Sequence, residues 1–199
     1  MILKVCGITS APDALAAIEA GATAIGFNFY SRSPRYIAPE RAAGIQTPGV
    51  RRVGVFVNES PERIEEIARI AGLDIAQLHG DELPGRYPRT IGVWKAARVG
   101  TGFTFAPYDD VPAEALLLDG PAAELYGGSG MTFDWQLAAR SRKRIIVAGG
   151  LDAGNVALAI QLANPWGVDA CSRIESAPGI KDHQKMIDFL LAAKAALAA

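Results

Sequence analysis

Cysteine is nearly missing from this 199-residue chain: Cys6 and Cys171 are the only two, far apart in sequence. Two distant thiols do not make a disulfide scaffold, and the expectation is a reducing cytoplasm with both thiols free. Long hydrophobic runs are missing too; none approaches the ~18 residues that would suggest a membrane span. The start, Met1-Ile2-Leu3-Lys4-Val5-Cys6, has neither an apolar h-region nor a small-residue cleavage site, so no signal peptide is expected. Charge of one sign is not in excess, since 20 Lys and Arg face 21 Asp and Glu for a net charge of −1. Without a Lys/Arg run to form a basic face, neither nucleic acid nor a membrane is an expected partner. Histidine is limited to His79 and His183, and no paired His or Cys has a spacing suited to a metal. No composition break or low-complexity tract divides the chain, so residues 1–199 are expected to form a single domain.

What the chain does have is short apolar, β-branched runs at regular intervals. They are Ile2–Val5, Ala24–Phe29, Val53–Val57, Ile75–Leu78, Ile91–Trp94, Ala115–Leu118, Ile145–Ala148 and Gly167–Ala170. Continuous runs of this kind suit parallel strands buried on both faces. Helical patterns lie between several of them. Ser10-Ala11-Pro12-Asp13 resembles a capping box, and Ser60-Pro61 reads as an N-cap followed by proline at the first helical position. Ile64, Ile67, Ala68 and Ala71 repeat at helical spacing, as do Val156, Ala159, Ile160 and Ala163, and then Met186, Phe189, Leu190 and Ala193. Lys95 to Asp110 shows no such pattern. The expected fold is therefore a small (β/α)8 TIM barrel of the α/β class with a reduced or missing fifth helix. The competing architecture, an open doubly wound sheet, lacks a Gly-rich dinucleotide fingerprint after its first strand.

Active sites of such barrels lie at the C-terminal strand ends. Reading off those ends gives Cys6-Gly7, Asn28 ahead of Arg32 and Arg35, Asn58, Gln77 with His79, Lys95, Asp119, Gly149-Gly150, and Asp169 with Cys171 and Ser172. Gly149-Gly150 reads either as a tight turn or, after a seventh strand, as part of a phosphate cradle. Cys6 reads either as core filling or as a reactive thiol. Lys4 lies two residues earlier, on the same strand face, where an ammonium favours thiolate. Asp119, before Gly120, is a candidate acid, or else a cap or a partner of Lys4 or Lys95. His79 reads as a base or as a hydrogen-bonded structural residue, and His183 as a surface residue.

Taken in order, the motifs resemble those of the phosphoribosylanthranilate isomerase family of tryptophan biosynthesis. They are Lys4-Val5-Cys6-Gly7-Ile8-Thr9, Gly26-Phe27-Asn28-Phe29 with Ser33-Pro34-Arg35-Tyr36-Ile37, Val53 to Asn58, Gln77 to Glu82, Leu118-Asp119-Gly120, Gly127 to Gly130, Ala148 to Leu151, and Pro178-Gly179-Ile180-Lys181-Asp182. They span essentially the whole chain. The resemblance implies an Amadori rearrangement of N-(5-phosphoribosyl)anthranilate to 1-(2-carboxyphenylamino)-1-deoxyribulose 5-phosphate. It implies Asp119 as general acid and Cys6 as general base. Arg35, Gln77, His79 and Asp169 would contact substrate, Arg35 through its carboxylate, and Gly149, Gly150, Ser172 and Arg173 would hold the phosphate. It implies no cofactor or metal, a phosphorylated small molecule as partner, and a cytoplasmic monomer or homodimer.

One departure is visible. The family's strand-eight loop usually reads Asp-Val-Ser-Ser-Gly before a Glu, whereas this chain has Asp169-Ala170-Cys171-Ser172-Arg173-Ile174-Glu175. Arg173 replaces a glycine, so either the backbone there avoids positive φ or the phosphate contacts are rearranged. The alternatives are another phosphosugar-isomerase barrel, for which an aspartate pair would be expected, and a non-catalytic barrel that binds phosphate ligands. Tyr126 to Gly130, with three glycines, is expected to form a mobile loop.

Overall fold

Each of the eight apolar runs becomes a strand, and the strands close on themselves. In the computed structural model, which describes residues 1–120 and 132–198, β1 (Ile2–Val5), β2 (Ala24–Asn28), β3 (Arg51–Phe56), β4 (Ile75–Leu78), β5 (Gly92–Arg98), β6 (Ala115–Asp119), β7 (Arg144–Val147) and β8 (Gly167–Ala170) form a closed parallel barrel in chain order. The seam is a β1–β8 ladder with Lys4 opposite Asp169 and Val5 opposite Ala170. The expectation for Tyr126–Gly130 lies outside the described residues.

The period of two along each strand sorts side chains between two cores. Ile2, Ala24, Val53, Ile75, Trp94, Ala96, Ala115, Leu117, Ile146 and Ala148 fill the barrel itself. Their neighbours of opposite parity, such as Leu3, Val5, Phe27, Leu116 and Val147, pack outward beneath the helices. At the N-terminal end Trp94 meets Trp166 edge-on at 5.8 Å, and the Arg144 guanidinium lies 5.1 Å from the Trp166 ring centre. That plug closes the bottom and leaves chemistry to the opposite mouth.

The helical stripes read from sequence are the buried faces. The helices are α1 (Ala11–Glu19), α2 (Pro39–Gly44), α3 (Pro61–Ala71), α4 (Val156–Ala163) and α5 (His183–Ala198). The Ser10 and Ser60 hydroxyls accept from the backbone N–H of Asp13 and Arg63. Asp13 does not complete a reciprocal box. Its carboxylate instead takes the Lys181 N–H and pairs with His183 at 2.8 Å, tying α1 to the start of α5. His183 is thus partly exposed but not idle.

The fifth crossover lacks an α-helix, as expected, but it is not alone. The fourth and fifth crossovers, and the described residues of the sixth, carry only 3-10 turns, at Pro84–Arg86, Ala106–Tyr108 and Trp135–Arg140. Pro84, Gly85 and Pro88 in the fourth, and Gly100, Gly102, Pro107 and Pro112 in the fifth, deny a helix both its N–H donors and its low entropy cost. Phe103, Phe105 and Tyr108 cluster there instead, with Phe103–Phe105 centroids 5.1 Å apart, and cover the outer core in the missing helix's place. A hairpin absent from the sequence reading, β9 (Glu175–Ala177) and β10 (Ile180–Lys181), precedes α5. No helix among the described residues is long and apolar enough to cross a membrane.

Candidate active site

Strand parity brings most of the candidate residues to one place. Lys4 and Cys6 follow Ile2, Gln77 and His79 follow Ile75, Asp119 follows Leu117, and Asp169 and Cys171 follow Gly167, all at the inward-facing parity set by the barrel core. They meet at the C-terminal mouth. Lys95 does not join them. It lies inside β5 rather than after it, at the outward parity of Val93 and Ala97, and its ammonium ties Glu82 at 2.8 Å and the Gly80 carbonyl at 2.6 Å.

The β1–β8 side is a dense network of buried charge. Lys4 Nζ donates to Asp169 Oδ2 at 3.0 Å, with the Lys4 side chain fully buried. Burial works to discharge Lys4, but the charges of Asp169 and Cys6 hold it as an ammonium above its usual range. Burial likewise pushes the Asp169 carboxyl up to about 7, with Lys4 opposing and the Cys6 charge adding to the push. Asp169 and Cys6 therefore compete for one cation whose own charge is fixed. A hydrogen bond from the Cys171 thiol outweighs burial and, with Lys4 and Lys181, holds the Cys6 thiol well below its ordinary range. Cys171 is pushed well above its range by the same bond and by burial.

Arg35 reaches this cluster from the loop after β2. Its Nε and Nη2 make a bidentate pair with Glu175 at 2.9 and 2.8 Å. Glu175 also accepts from Lys181 Nζ at 2.9 Å. Burial opposes ionisation of Glu175, yet the hydrogen bonds from Arg35 and Lys181 keep it below the usual carboxylate range. Gly7 makes room for this arrangement: with φ +73°, a Cβ there would lie 2.8 Å from Arg35 Cδ and 3.1 Å from Cys171 Sγ. Glu175 and Lys181 were not singled out as site residues in the sequence. The available signal was Pro178-Gly179, the two-residue turn that folds β9 onto β10 and brings both side chains under Arg35.

The β4–β6 side is sparser. His79 Nε2 lies 3.3 Å from Asp119 Oδ2, too poorly aligned to count as a hydrogen bond. Gln77 Nε2 is 3.1 Å from His79 Nδ1, which leaves His79 Nε2 facing Asp119. The buried Gln77 Oε1 and Asp169 Oδ1 have no partner among the described residues. Asp119 pairs with neither Lys4 nor Lys95, so neither ion pair accounts for its burial.

At the seventh and eighth strand ends, Gly149 and Gly150 take successive positive φ values of 78° and 65°, which favour glycine. Ser172–Ile174 forms a single 3-10 turn. Arg173 has no positive φ, so the backbone avoids the region a glycine would permit. Its guanidinium is half exposed and pairs with Asp152 Oδ2 at 2.9 Å, joining the β7 and β8 loops rather than reaching Glu175.

Comparison with known proteins places this geometry in context. The family model described as N-(5'-phosphoribosyl)anthranilate (PRA) isomerase matches residues 3–192. The N-(5'-phosphoribosyl)anthranilate isomerase of Solibacter usitatus is 75% identical over 199 residues, all of both chains. The crystal structure of phosphoribosyl anthranilate isomerase from Thermus thermophilus superposes with TM-score 0.89 at 37% identity, covering 98% of this chain and 99% of that one. A crystal structure of a phosphoribosyl anthranilate isomerase in complex with reduced 1-(o-carboxyphenylamino)-1-deoxyribulose 5-phosphate superposes with TM-score 0.83 at 38% identity, covering 98% and 100%.

Proposed function

The chain belongs to the N-(5'-phosphoribosyl)anthranilate isomerase family, enzymes of tryptophan biosynthesis of the aldose–ketose isomerase type, and within that reaction we propose Cys6 as general base and Asp119 as general acid. The observation that carries the assignment is the placement of a thiol with a lowered pKa and a buried carboxyl at two strand ends around the mouth. Cys6 is held as a thiolate, facing inward from β1, while an inward carboxyl stands at the end of β6.

Asp119 protonates the furanose ring oxygen of N-(5-phosphoribosyl)anthranilate, and the C1′–O bond breaks as the anilino nitrogen donates its electron pair. The resulting iminium acidifies the C2′ hydrogen. Cys6 thiolate removes that proton, and the enolamine tautomerises to 1-(2-carboxyphenylamino)-1-deoxyribulose 5-phosphate. One positioned base and one positioned acid suffice for these steps, and no cofactor enters.

The remaining groups bind. Glu175 takes the Nε–Nη2 edge of Arg35, so the anthranilate carboxylate meets the Nη1–Nη2 end. The unpartnered Asp169 Oδ1 and Gln77 Oε1 are acceptors suited to substrate hydroxyls. His79 aims its Nε2 at Asp119. Gly149, Gly150, Ser172 and Arg173 form the phosphate end. That a structurally similar family member holds a reduced product analogue supports a substrate of this size and charge.

The test is conversion of N-(5-phosphoribosyl)anthranilate by the purified protein, using substrate deuterated at C2′. Conversion with a primary isotope effect on single-turnover chemistry is the expected result. Conversion with no isotope effect, in a Cys6→Ala variant as fast as the parent, would remove Cys6 from the mechanism.

A further inference from the structure

The resemblance assigns Cys6 a role and leaves Cys171 without one. The geometry, however, makes the two a pair. Val5 lies opposite Ala170 in the β1–β8 ladder, and the Cys6 N–H donates to the Ala170 carbonyl at 2.9 Å. Cys6 and Cys171 are the residues that directly follow this last pair on the two strands. Adjacent strands are about 4.7–4.9 Å apart, inside the Cα separation of roughly 4.4–6.8 Å that a disulfide spans. The Cys171 sulfur lies over the end of β1, 3.1 Å from where a Cβ on Gly7, the residue after Cys6, would stand. Cys6 is buried and Cys171 only partly so, both with free thiols in this structure.

We propose that Cys6 and Cys171 form a peroxide-sensitive modification site, in which Cys171 is the resolving thiol and the oxidised form is a reversible Cys6–Cys171 disulfide. Cys6 thiolate attacks one oxygen of hydrogen peroxide. The O–O bond breaks, a sulfenic acid forms on Cys6, and hydroxide leaves. The Cys171 sulfur then attacks the Cys6 sulfur, an S–S bond forms, the S–O bond breaks, and the departing hydroxide takes up the Cys171 proton as water. Two thiols and one peroxide give one disulfide and two waters, and the cysteines together lose two electrons to the peroxide.

The surroundings assist both steps. Lys4 and Lys181 favour the attacking thiolate, and Lys181 Nζ lies 3.9 Å from Cys171 Sγ, where it stabilises the second sulfur as its proton departs. A low-pKa thiol beside a second thiol is the usual arrangement of a reversible redox site. Without a resolving partner, the sulfenic acid proceeds to sulfinic acid, which thiol reductants do not reverse. Cys171 thereby protects the residue that we assign as base.

The experiment compares the parent protein with Cys171→Ser, which keeps a hydroxyl donor in place but cannot close a disulfide. Each is treated with hydrogen peroxide and then with dithiothreitol, and activity is expressed relative to its own untreated value. The parent is expected to lose two hydrogens by intact mass, to yield a Cys6–Cys171 cross-linked peptide, and to recover its activity on reduction. Turnover of the oxidised fraction should fall by roughly 10²–10⁴-fold, as for loss of a positioned base. Cys171→Ser should gain oxygen instead and fail to recover. The activity arm rests on Cys6 being the base, whereas the mass and peptide arm does not, so the two readings fail separately. Peroxide-treated parent lacking the cross-linked peptide, or a Cys171→Ser variant that recovers as fully as the parent, would overturn the proposal.

Discussion

On the β1–β8 side of the mouth, Lys4, Cys6, Asp169, Cys171, Arg35, Glu175 and Lys181 are tied to one another by buried hydrogen bonds and ion pairs. On the β4–β6 side, the off-line His79 is the ionisable neighbour of Asp119 among the described residues, and it is itself steadied by Gln77. The difference matches the roles proposed for the two sides. A thiol deep in a protein is a poor anion unless its neighbours stabilise it before substrate arrives. A carboxylic acid that gives up its proton during ring opening needs aiming rather than a preformed ionic cage. Prebuilt charge therefore belongs with the base.

The largest expected effects ask whether both sides are needed at all. Cys6→Ala and Asp119→Asn should each lower kcat by roughly 10²–10⁴-fold, the usual cost of losing a positioned base or acid. Their KM values should move far less. A Cys6→Ala protein that keeps near-parental single-turnover rates would leave the charge network on its side without a catalytic purpose.

Next comes the asymmetry in stability. Lys4→Met leaves Asp169 and Cys6 buried without their cation, and breaking a buried pair typically costs about 3–5 kcal/mol. His79→Gln removes only a misaligned contact and one neutral hydrogen bond, for which about 0.5–1.5 kcal/mol is the usual scale. Urea denaturation of the two variants is the comparison. Equal losses would show that the two sides are not built differently.

How much of this was legible beforehand follows the same division. The eight strands and the α3, α4 and α5 stripes were readable because apolar period and caps coincide there, as at Ser60-Pro61 before Ile64, Ile67, Ala68 and Ala71. The fourth crossover was not recognised as helix-free, because its deciding signal is Pro84-Gly85 and Pro88 rather than an apolar pattern. Lys95 was misplaced because β5 runs on through Ala96 and Ala97 to Arg98, which moves Lys95 into the strand and onto its outer face. At the site, reading the C-terminal strand ends pointed to Cys6, His79, Asp119 and Asp169. Glu175 and Lys181 escaped notice because the Pro178-Gly179 turn marks a hairpin but not the pairing of Glu175 with both Lys181 and the distant Arg35.

A smaller effect tests the competition for Lys4 through pH. Folding raises the Asp169 carboxyl to about 7, against about 3.9 for an unperturbed aspartate. Between those values the folded protein holds a proton that the unfolded chain has lost. The stabilisation from this group is therefore fully present below about pH 4 and is lost as pH rises through 7, at no more than about 1.4 kcal/mol per pH unit. Cys6, with a lowered value, has the opposite sign and contributes stability that is lost on acidification. Asp169→Asn should remove the first component. The difference in stability between parent and variant, measured by denaturation from pH 4 to pH 8, should then slope in favour of the variant as pH rises. A flat difference would mean that Lys4 offsets the burial of Asp169 fully.

The smallest expected effect concerns an ion pair on the same side of the mouth but at its surface. Arg173 and Asp152 are 47% and 31% exposed, where Lys4 and Asp169 are almost fully enclosed. Exposed pairs contribute about 0.2–1 kcal/mol and are screened by salt, so this pair is a minor part of the fold. Its interest lies in where it stands, linking the Gly149-Gly150 loop to the Ser172 turn that we assign to phosphate. Asp152 neutralises the guanidinium and also repels an incoming dianion. Arg173→Gly should therefore weaken binding of inorganic phosphate or a product analogue by less than about tenfold at low salt, equivalent to under about 1.4 kcal/mol. The loss should shrink at high salt. Asp152→Asn should act in the opposite direction, because Asn keeps the Oδ1 acceptor that the Gly154 N–H uses at 2.9 Å while removing the competing charge. Calorimetric titration of the parent and both variants at two salt concentrations checks the signs. Unchanged affinity of Arg173→Gly at low salt would remove Arg173 from the phosphate end and leave it a loop-to-loop tie.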